Sequence, residues 1–233
     1  MSKLLWMPAL WLALAIWLAG CATVPFEPVP WTALPDEVDP DAVPEAFAAA
    51  LPVRFVSEDT LVFRFFWREI AALGYTRIDR EAGTFAVICL NHLGVQLFYI
   101  TGDRQQTTLE YAIPEFADRP EFVEAIGEDI RRLYFDLLPA AEAQVAIGSD
   151  RLSFTLHQDN RRVRHIFGGP RLFLRQKRAR QGWRRLWDVT YYEYRQVNGQ
   201  WLPRGMVLRN HRQNYRLTLR IREVSIEDQP NKD

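Results

Sequence analysis

Short stretches of alternating apolar and polar residues, separated by turn residues, dominate the chain after residue 54 and restrict it to a mainly β fold. In the first stretch Leu61, Phe63, Phe65 and Trp67 share one face of a strand, and the residues between them share the other. Such alternation predicts half-buried strands. Asn198-Gly199 predicts a two-residue hairpin turn. Further stretches of this kind bring the expected number of strands to about eleven.

One helix interrupts the strands. Asp118 is the predicted N-cap and Pro139 lies beyond the last turn. Phe122, Ile126 and Ile130 follow at helical spacing and predict one apolar face. The fold class expected for residues 54–233 is therefore mainly β with a helical lid (α+β). A single antiparallel sheet of this length curls, so we expect an incomplete barrel whose concave face the helix covers.

The N-terminus predicts export. Lys3, the apolar run Leu4–Leu18 and the small residues before Cys21 are typical of a signal peptide covering residues 1–20. The apolar run is short for a membrane span and contains Pro8. Residues 21–53 follow as a tether, because residues 22–50 contain six prolines, which favour a semi-rigid extended chain.

Leu18-Ala19-Gly20-Cys21 resembles the lipobox of bacterial lipoproteins. The resemblance implies that Cys21 carries lipid, with palmitate among the expected acyl chains, and anchors the chain to a membrane. Two or three acyl chains hold a protein durably where one does not. Ala22 follows the cysteine, and the absence of Asp there implies the outer membrane. The alternative is an ordinary secretory signal that happens to contain a cysteine.

Charge is divided unevenly between the two halves. Residues 22–150 contain 9 basic and 22 acidic residues, whereas residues 151–222 contain 18 and 3. The basic run either forms the solvated outer face of strands, or binds lipid phosphates or an acidic periplasmic carrier. Nucleic acid is not an expected partner of an exported chain. The predicted basic face consists of Arg161, Arg162, Arg164, Arg175, Lys177, Arg178 and Arg180.

No pattern of catalytic or metal-ligating residues stands out. The four histidines are scattered without the spacing of a zinc motif. Ser149 lies in a turn without the flanking glycines of a nucleophile elbow. Cys89 lies in an apolar run and is expected in the core. The sequence therefore predicts no metal, no cofactor and no enzymatic activity.

The order of the motifs resembles the LolA/LolB-like superfamily of periplasmic lipoprotein-handling proteins, and in particular the LolB-like outer-membrane lipoproteins. The motifs are the lipobox, Phe65-Phe66-Trp67, Leu90–Gly94, the helix and the closing segment Trp187–Arg195. The resemblance implies an incomplete barrel with a helical lid and an apolar cavity for acyl chains. It also implies a loop whose exposed leucine enters the membrane. Leu93 is at the matching position.

The aromatic inner faces therefore have two interpretations: they fill a core, or they line a cavity. We expect an outer-membrane-anchored, periplasm-facing lipoprotein that binds or receives an acyl-chain-bearing molecule, a lipid or a lipoprotein. The alternative is a structural or adaptor lipoprotein with a filled barrel that docks a partner through its basic face. The expected lid residues are Phe122, Ile126 and Ile130, and the expected lining residues are Phe63, Phe65, Trp67, Phe98, Trp187 and Tyr191.

Overall fold

The computed structural model describes residues 24–66 and 68–227, which contain twelve strands and three α-helices. The strands are β1 (Arg54–Phe65), β2 (Arg68–Asp79), β3 (Thr84–Leu90), β4 (Gln96–Gly102), β5 (Thr107–Ala112), β6 (Gln144–Ile147), β7 (Arg151–Gln158), β8 (Arg161–Gly168), β9 (Phe173–Gln181), β10 (Arg184–Val197), β11 (Gln200–Asn210) and β12 (Tyr215–Ile226). The helices are α1 (Ala42–Ala50), α2 (Pro114–Ala117) and α3 (Pro120–Ile130), and α3 continues into a π-helical turn (Arg131–Phe135).

The strands form one antiparallel sheet in the order β5-β4-β3-β2-β1-β12-β11-β10-β9-β8-β7-β6. The first and last strands therefore pair with each other and join the two halves. Strands β5 and β6 form open edges, which confirms the predicted incomplete barrel. Alternation in the sequence does not predict β6, because four residues are too few to show a period of two.

The register divides the turns between two ends of the sheet. Phe65 pairs with Tyr215 and Trp187 with Asn210, so the β1–β2, β11–β12 and β9–β10 turns lie at one end. The alternation of antiparallel strands places the β3–β4 and β7–β8 turns there as well. We call this end the tip rim and the opposite end the base rim. The tip-rim turns follow Phe65, Leu90, Gln158, Gln181 and Asn210.

The predicted helix is present, but it begins differently. Arg119 is the N-cap of α3, and Asp118 is instead the C-cap of the short helix α2. The prediction of Asp118 as N-cap is therefore wrong, because two helices follow each other closely there. Pro120 occupies the first turn of α3, where its missing N–H is not needed. Within the described residues no helix is both long and apolar enough to cross a bilayer.

The first part of the N-terminal segment, residues 24–31, packs on the outer face of the sheet. The ring of Phe26 stacks on Tyr192 at 5.3 Å and occupies the space that a side chain at Gly205 would need. Trp31 packs in the same way against Gly168. This finding differs from the expected spacer over residues 21–53, because two aromatic side chains attach the proline-rich chain to the domain.

Candidate functional site

The concave face is filled at the base rim. Phe47 of α1 points into it, with its ring centroid 5.6 Å from those of Phe167 and Phe173. Phe55 of β1 is fully buried and packs against Tyr134 of the π-helical turn at 5.8 Å. Helix α1 and the π-helical turn therefore close this end of the half-barrel.

Polar side chains of the sheet hold the π-helical turn in place. The end of a helix leaves backbone carbonyls without intrahelical partners. The Lys177 amine donates to the carbonyl oxygens of Arg132 and, at 2.6 Å, Asp136. The Tyr191 hydroxyl donates to the carbonyls of Arg132 and Leu133 at 3.2 and 3.3 Å. Burial lowers the pKa of Lys177 to about 7.

A buried carboxyl group lies above this closed end. Asp59 of β1 has no exposed surface, and its Oδ2 accepts hydrogen bonds from the hydroxyls of Ser57 at 3.1 Å and Thr76 at 2.8 Å. Its Oδ1 has no hydrogen-bond partner among the described residues. Burial raises the pKa of Asp59 to about 7, because the charged form loses its hydration.

We expect Asp59→Asn to raise stability more at pH 8 than at pH 5. The pKa of Asp59 is about 3.9 in the unfolded chain and about 7 in the folded protein. Between these two pH values the folded wild type therefore binds one proton more than the unfolded chain. The contribution of Asp59 to wild-type stability therefore falls as pH rises through this window, whereas asparagine does not titrate. The gain from the substitution should be larger at pH 8 by about 3 kcal/mol.

Urea unfolding of the wild type and Asp59→Asn at both pH values measures this difference. Glu69→Gln is the control, because Glu69 is an exposed carboxylate at the surface. A gain that is the same at both pH values would contradict the raised pKa.

The concave face is less covered toward the tip rim. Along β1, the inward side chains change from fully buried at Phe55 to 6% exposed at Leu61. The next two inward side chains of β1 toward the tip rim, Phe63 and Phe65, are only half-buried. Ile70, which pairs with Phe63 on β2, is 44% exposed. On the helix, Phe122 and Ile126 are also half-buried apolar side chains that pack against the core. We call this surface the open cleft; it consists of Phe63, Phe65, Ile70, Phe122 and Ile126.

Helix α3 crosses the concave face and is attached on both sides. Near its beginning, the ring of Phe122 lies 5.8 Å from Phe98 of β4. Near its end, Asp129 accepts a hydrogen bond from the Tyr215 hydroxyl on β12. Burial raises the pKa of Asp129 to about 6. The helix therefore spans β1–β3, and its two attachments leave the tip-rim ends of β1 and β2 uncovered.

The structure divides the predicted lining residues into two groups. Phe63 and Phe65 lie in the open cleft, whereas Phe98, Trp187 and Tyr191 are 3%, 6% and 1% exposed and belong to the packed core. The aromatic faces of the second group are covered, because α3 and the π-helical turn lie on them. Trp67 lies outside the described residues.

The predicted lid residues also differ in their exposure. Phe122 and Ile126 are half-buried and belong to the open cleft, whereas Ile130 is 6% exposed and packs in the core. Leu93, the predicted membrane-loop residue, is 75% exposed in the β3–β4 turn at the tip rim.

Two members of the predicted basic face do not lie on a solvated face. Lys177 is fully buried inside the half-barrel. Arg175 is 7% exposed, because its guanidinium donates to the Val29 carbonyl at 2.8 Å and lies 5.3 Å from the ring of Trp31. Including them in the basic face was therefore wrong. The other five, Arg161, Arg162, Arg164, Arg178 and Arg180, are exposed or half-buried.

A groove of about 750 Å³ separates α3 from the tip ends of β8–β11. Its helix side carries Glu121, Glu124 and Glu128, and its sheet side carries arginines that include Arg161 and Arg184. The groove is strongly polar and differs in character from the open cleft.

Nucleophilic and metal-ligating groups form no further site in the part of the chain that the structure describes. No three His, Cys, Asp or Glu side chains are placed to hold a metal ion there. Cys89 is 1% exposed, and burial raises the pKa of its thiol to about 12, so the group is a protonated part of the core at neutral pH.

Comparison with solved structures identifies the class of fold. The chain is similar to a LolA superfamily protein from Nitrosomonas europaea, with a TM-score of 0.54 and 10% identity, over 84% of this chain and 97% of that one. A DUF1329 family protein from Desulfovibrio piger gives a TM-score of 0.48 and 10% identity, over 83% and 96%. The half-barrel with its helical lid thus has the fold of the LolA superfamily, as predicted.

Comparison at the sequence level identifies the family. Residues 70–223 match a family described as proteins of unknown function, DUF3261. Because the match covers about two thirds of the chain, the chain belongs to this family. Comparison with curated proteins gives no match.

Proposed function

We propose that this chain is a lipoprotein of the outer membrane that faces the periplasm and binds or receives an acyl-chain-bearing molecule in the open cleft. The observation that carries the proposal is the incomplete cover of the concave face. Phe63, Phe65 and Ile70 keep exposed apolar surface at the tip-rim ends of β1 and β2, whereas Phe55 and Leu61 on the same face of β1 are buried. An acyl chain lying along these side chains would remove both apolar surfaces from water.

The energetics favour transfer over storage. Removing a sixteen-carbon chain from water contributes at most about 12 kcal/mol, at about 0.8 kcal/mol for each methylene. A bilayer offers the same chain an equally apolar environment, so the net preference between the cleft and the membrane is small. Such a cleft receives a lipid or a lipoprotein acyl chain and releases it again without a catalytic step.

The N-terminus supports the location. Residues 1–20 as a signal peptide and Cys21 as the acylated residue lie outside the described residues, and the lipobox sequence is the support for both. Leu93 at the tip rim is the side chain proposed to enter the membrane during transfer, and its exposure of 75% supports this role.

We expect Cys21→Ser to abolish acylation and release the protein from the membrane fraction. The thiol is the group to which the lipid would be attached, so its replacement removes the proposed anchor. Labelling with radioactive palmitate, followed by separation of outer-membrane and soluble fractions, measures both effects. Cys89→Ser is the matched control, because Cys89 is buried. Palmitate that remains on the Cys21→Ser protein would contradict the anchor.

Binding of a fluorescent sixteen-carbon fatty acid tests the proposed cleft. Residues 24–227 contain the whole sheet, its helices and its core, so the chain beginning at Ala22 is the unit to test. The proposal predicts saturable binding that an unlabelled fatty acid displaces. A chain that binds no fatty acid would favour the structural or adaptor function, in which a filled barrel docks a partner through its basic face.

A further inference from the structure

We propose that the β9–β10 hairpin forms a second membrane contact at the tip rim, one that docks onto the surface of a bilayer containing anionic lipids. The contact consists of Trp183 at the tip of the hairpin and the arginines beside it, Arg162, Arg180, Arg184 and Arg185. This inference goes beyond acyl-chain binding, because it assigns a separate surface that does not involve the open cleft.

Trp183 is placed as a membrane anchor would be. It is 98% exposed, the highest value among the exposed large apolar side chains of the described residues. Gly182 beside it has a φ of +55°, which allows a two-residue turn to present the indole at the end of the hairpin. Indole rings favour the interface between headgroups and acyl chains, where an apolar ring and a polar N–H are both accommodated.

The arginines next to this tip are placed opposite one another. Arg162 pairs with Arg180 in the β8–β9 register, and Arg180 pairs with Arg185 in the β9–β10 register. Like charges directly opposite on neighbouring strands destabilise a sheet. None of the three forms an ion pair with any residue that the structure describes. An anionic surface would offset this repulsion.

The neighbouring charged side chains along β8 and β9 are positive as well. The next register pair, Arg164 opposite Arg178, continues the row, and burial followed by these neighbouring arginines lowers the pKa of Arg178. Asp188 is next to Arg178, but it already contacts Arg209 and His211. Asp159, in the β7–β8 turn, is a nearby acid at the rim. Glu121, Glu124 and Glu128 of α3 line the groove that Arg184 and Arg185 also line, so the row on β8 and β9 carries the least compensated charge.

The position of the hairpin in the fold favours a flat, anionic partner. Leu93, 75% exposed, projects from the β3–β4 turn at the same rim but on the other half of the sheet. A bilayer can contact both tips together, whereas a small acidic protein would contact one.

The lipid anchor can reach the same plane, because the five residues from Cys21 to Phe26 span at most about 17 Å. The distance from Phe26 to the tip rim is given by β12, because the ring of Phe26 lies against Arg220 and the strand begins at the rim with Tyr215. These five residues of strand span about the same length as the extended segment from Cys21 to Phe26.

Sedimentation with vesicles tests the proposal on the chain beginning at Ala22, so that acylation does not contribute. Vesicles of phosphatidylcholine with 30% phosphatidylglycerol are compared with pure phosphatidylcholine at low and high salt. We expect binding to the anionic vesicles that weakens with salt. Replacing Arg162, Arg180 and Arg185 with glutamine should weaken it about 100-fold, since each arginine near an anionic surface contributes about a factor of five.

Trp183→Ala should weaken binding to the anionic vesicles about tenfold, because the indole leaves the interface. It should also abolish the blue shift of tryptophan emission that docking produces. The controls are Ile147→Ala and Arg204→Gln, exposed residues of β6 and of the middle of β11. Circular dichroism confirms that each variant is folded.

Three results would overturn the proposal: equal binding to both kinds of vesicle, anionic binding unchanged by the arginine and Trp183 variants, or binding to an acidic protein such as polyglutamate-tagged albumin but not to vesicles. The fatty-acid measurement is separate, because the variants leave the open cleft unchanged. Its failure with intact vesicle docking would overturn the acyl-binding function alone.

Discussion

Replacing Ile126 with glutamate is expected to weaken fatty-acid binding by about 100-fold or more, because a carboxylate would then face an apolar chain and lose its hydration. Ile126 is a half-buried residue of the open cleft, on the side of α3 that packs against the core. The new side chain can turn toward water in the empty cleft, so the free protein remains folded. Titration with the fluorescent sixteen-carbon fatty acid measures the loss.

The controls separate a charge in the cleft from a charge anywhere on an apolar surface. Ile147→Glu places the same carboxylate at a 63% exposed position of edge strand β6, away from the cleft, and should leave binding unchanged. Ile126→Met keeps an apolar side chain of similar size and should also bind. If Ile126→Glu binds as well as the wild type, the cleft is not the binding site.

Phe47→Ala is expected to lower the free energy of unfolding by about 4 kcal/mol, because it leaves a cavity the size of an aromatic ring in the core. Phe47 is 2% exposed and is the side chain through which α1 contacts Phe167, Phe173 and Tyr194. Its loss should detach α1 from the base rim. Urea unfolding measures the stability, and hydrogen exchange of residues 42–50 measures the detachment.

Leu138→Ala is the control for this prediction. Leu138 lies near the same end but is 44% exposed, and truncation of an exposed side chain changes stability by no more than about 0.5 kcal/mol. A Phe47→Ala protein as stable as Leu138→Ala would show that α1 does not close the base of the half-barrel.

Much of the fold could be predicted from local pattern. The alternation of β1 assigned Phe63 and Phe65 to the same face, and the structure places both on the concave side. The spacing of Phe122, Ile126 and Ile130 placed these residues on the covering face of one helix. Both predictions succeed because periods of two and 3.6 depend on backbone geometry alone.

The exceptions depend on contacts that are distant in sequence. Arg175 and Lys177 belong to a basic run that favours a solvated face, yet Trp31 covers one and the carbonyls of the π-helical turn bind the other. Strand β9 ends at Gln181, and its arginine-rich second half has no apolar period from which this end could be predicted. Nothing in the sequence near Phe26 indicates that Gly205 leaves room for its ring.

The site was predictable only in part for the same reason. Asp59 was missed, because a single acid in an alternating strand resembles a solvent-facing residue until its burial is known. Trp183 follows Gly182 and is flanked in sequence by arginines. This order of residues identifies a hairpin tip only once the strands on both sides, β9 and β10, are known to pair. The division of the aromatic faces into core and cleft depends on where α3 crosses the sheet.

Photo-crosslinking with a sixteen-carbon fatty acid that carries a diazirine near its methyl end tests the central claim most directly. The labelled peptides, mapped by mass spectrometry, should come from the tip-rim ends of β1 and β2 and from α3, including Phe63, Ile70 and Ile126. Labelling that is absent, or confined to the outer face or to the filled base around Phe47 and Phe55, would contradict an open apolar cleft that receives acyl chains.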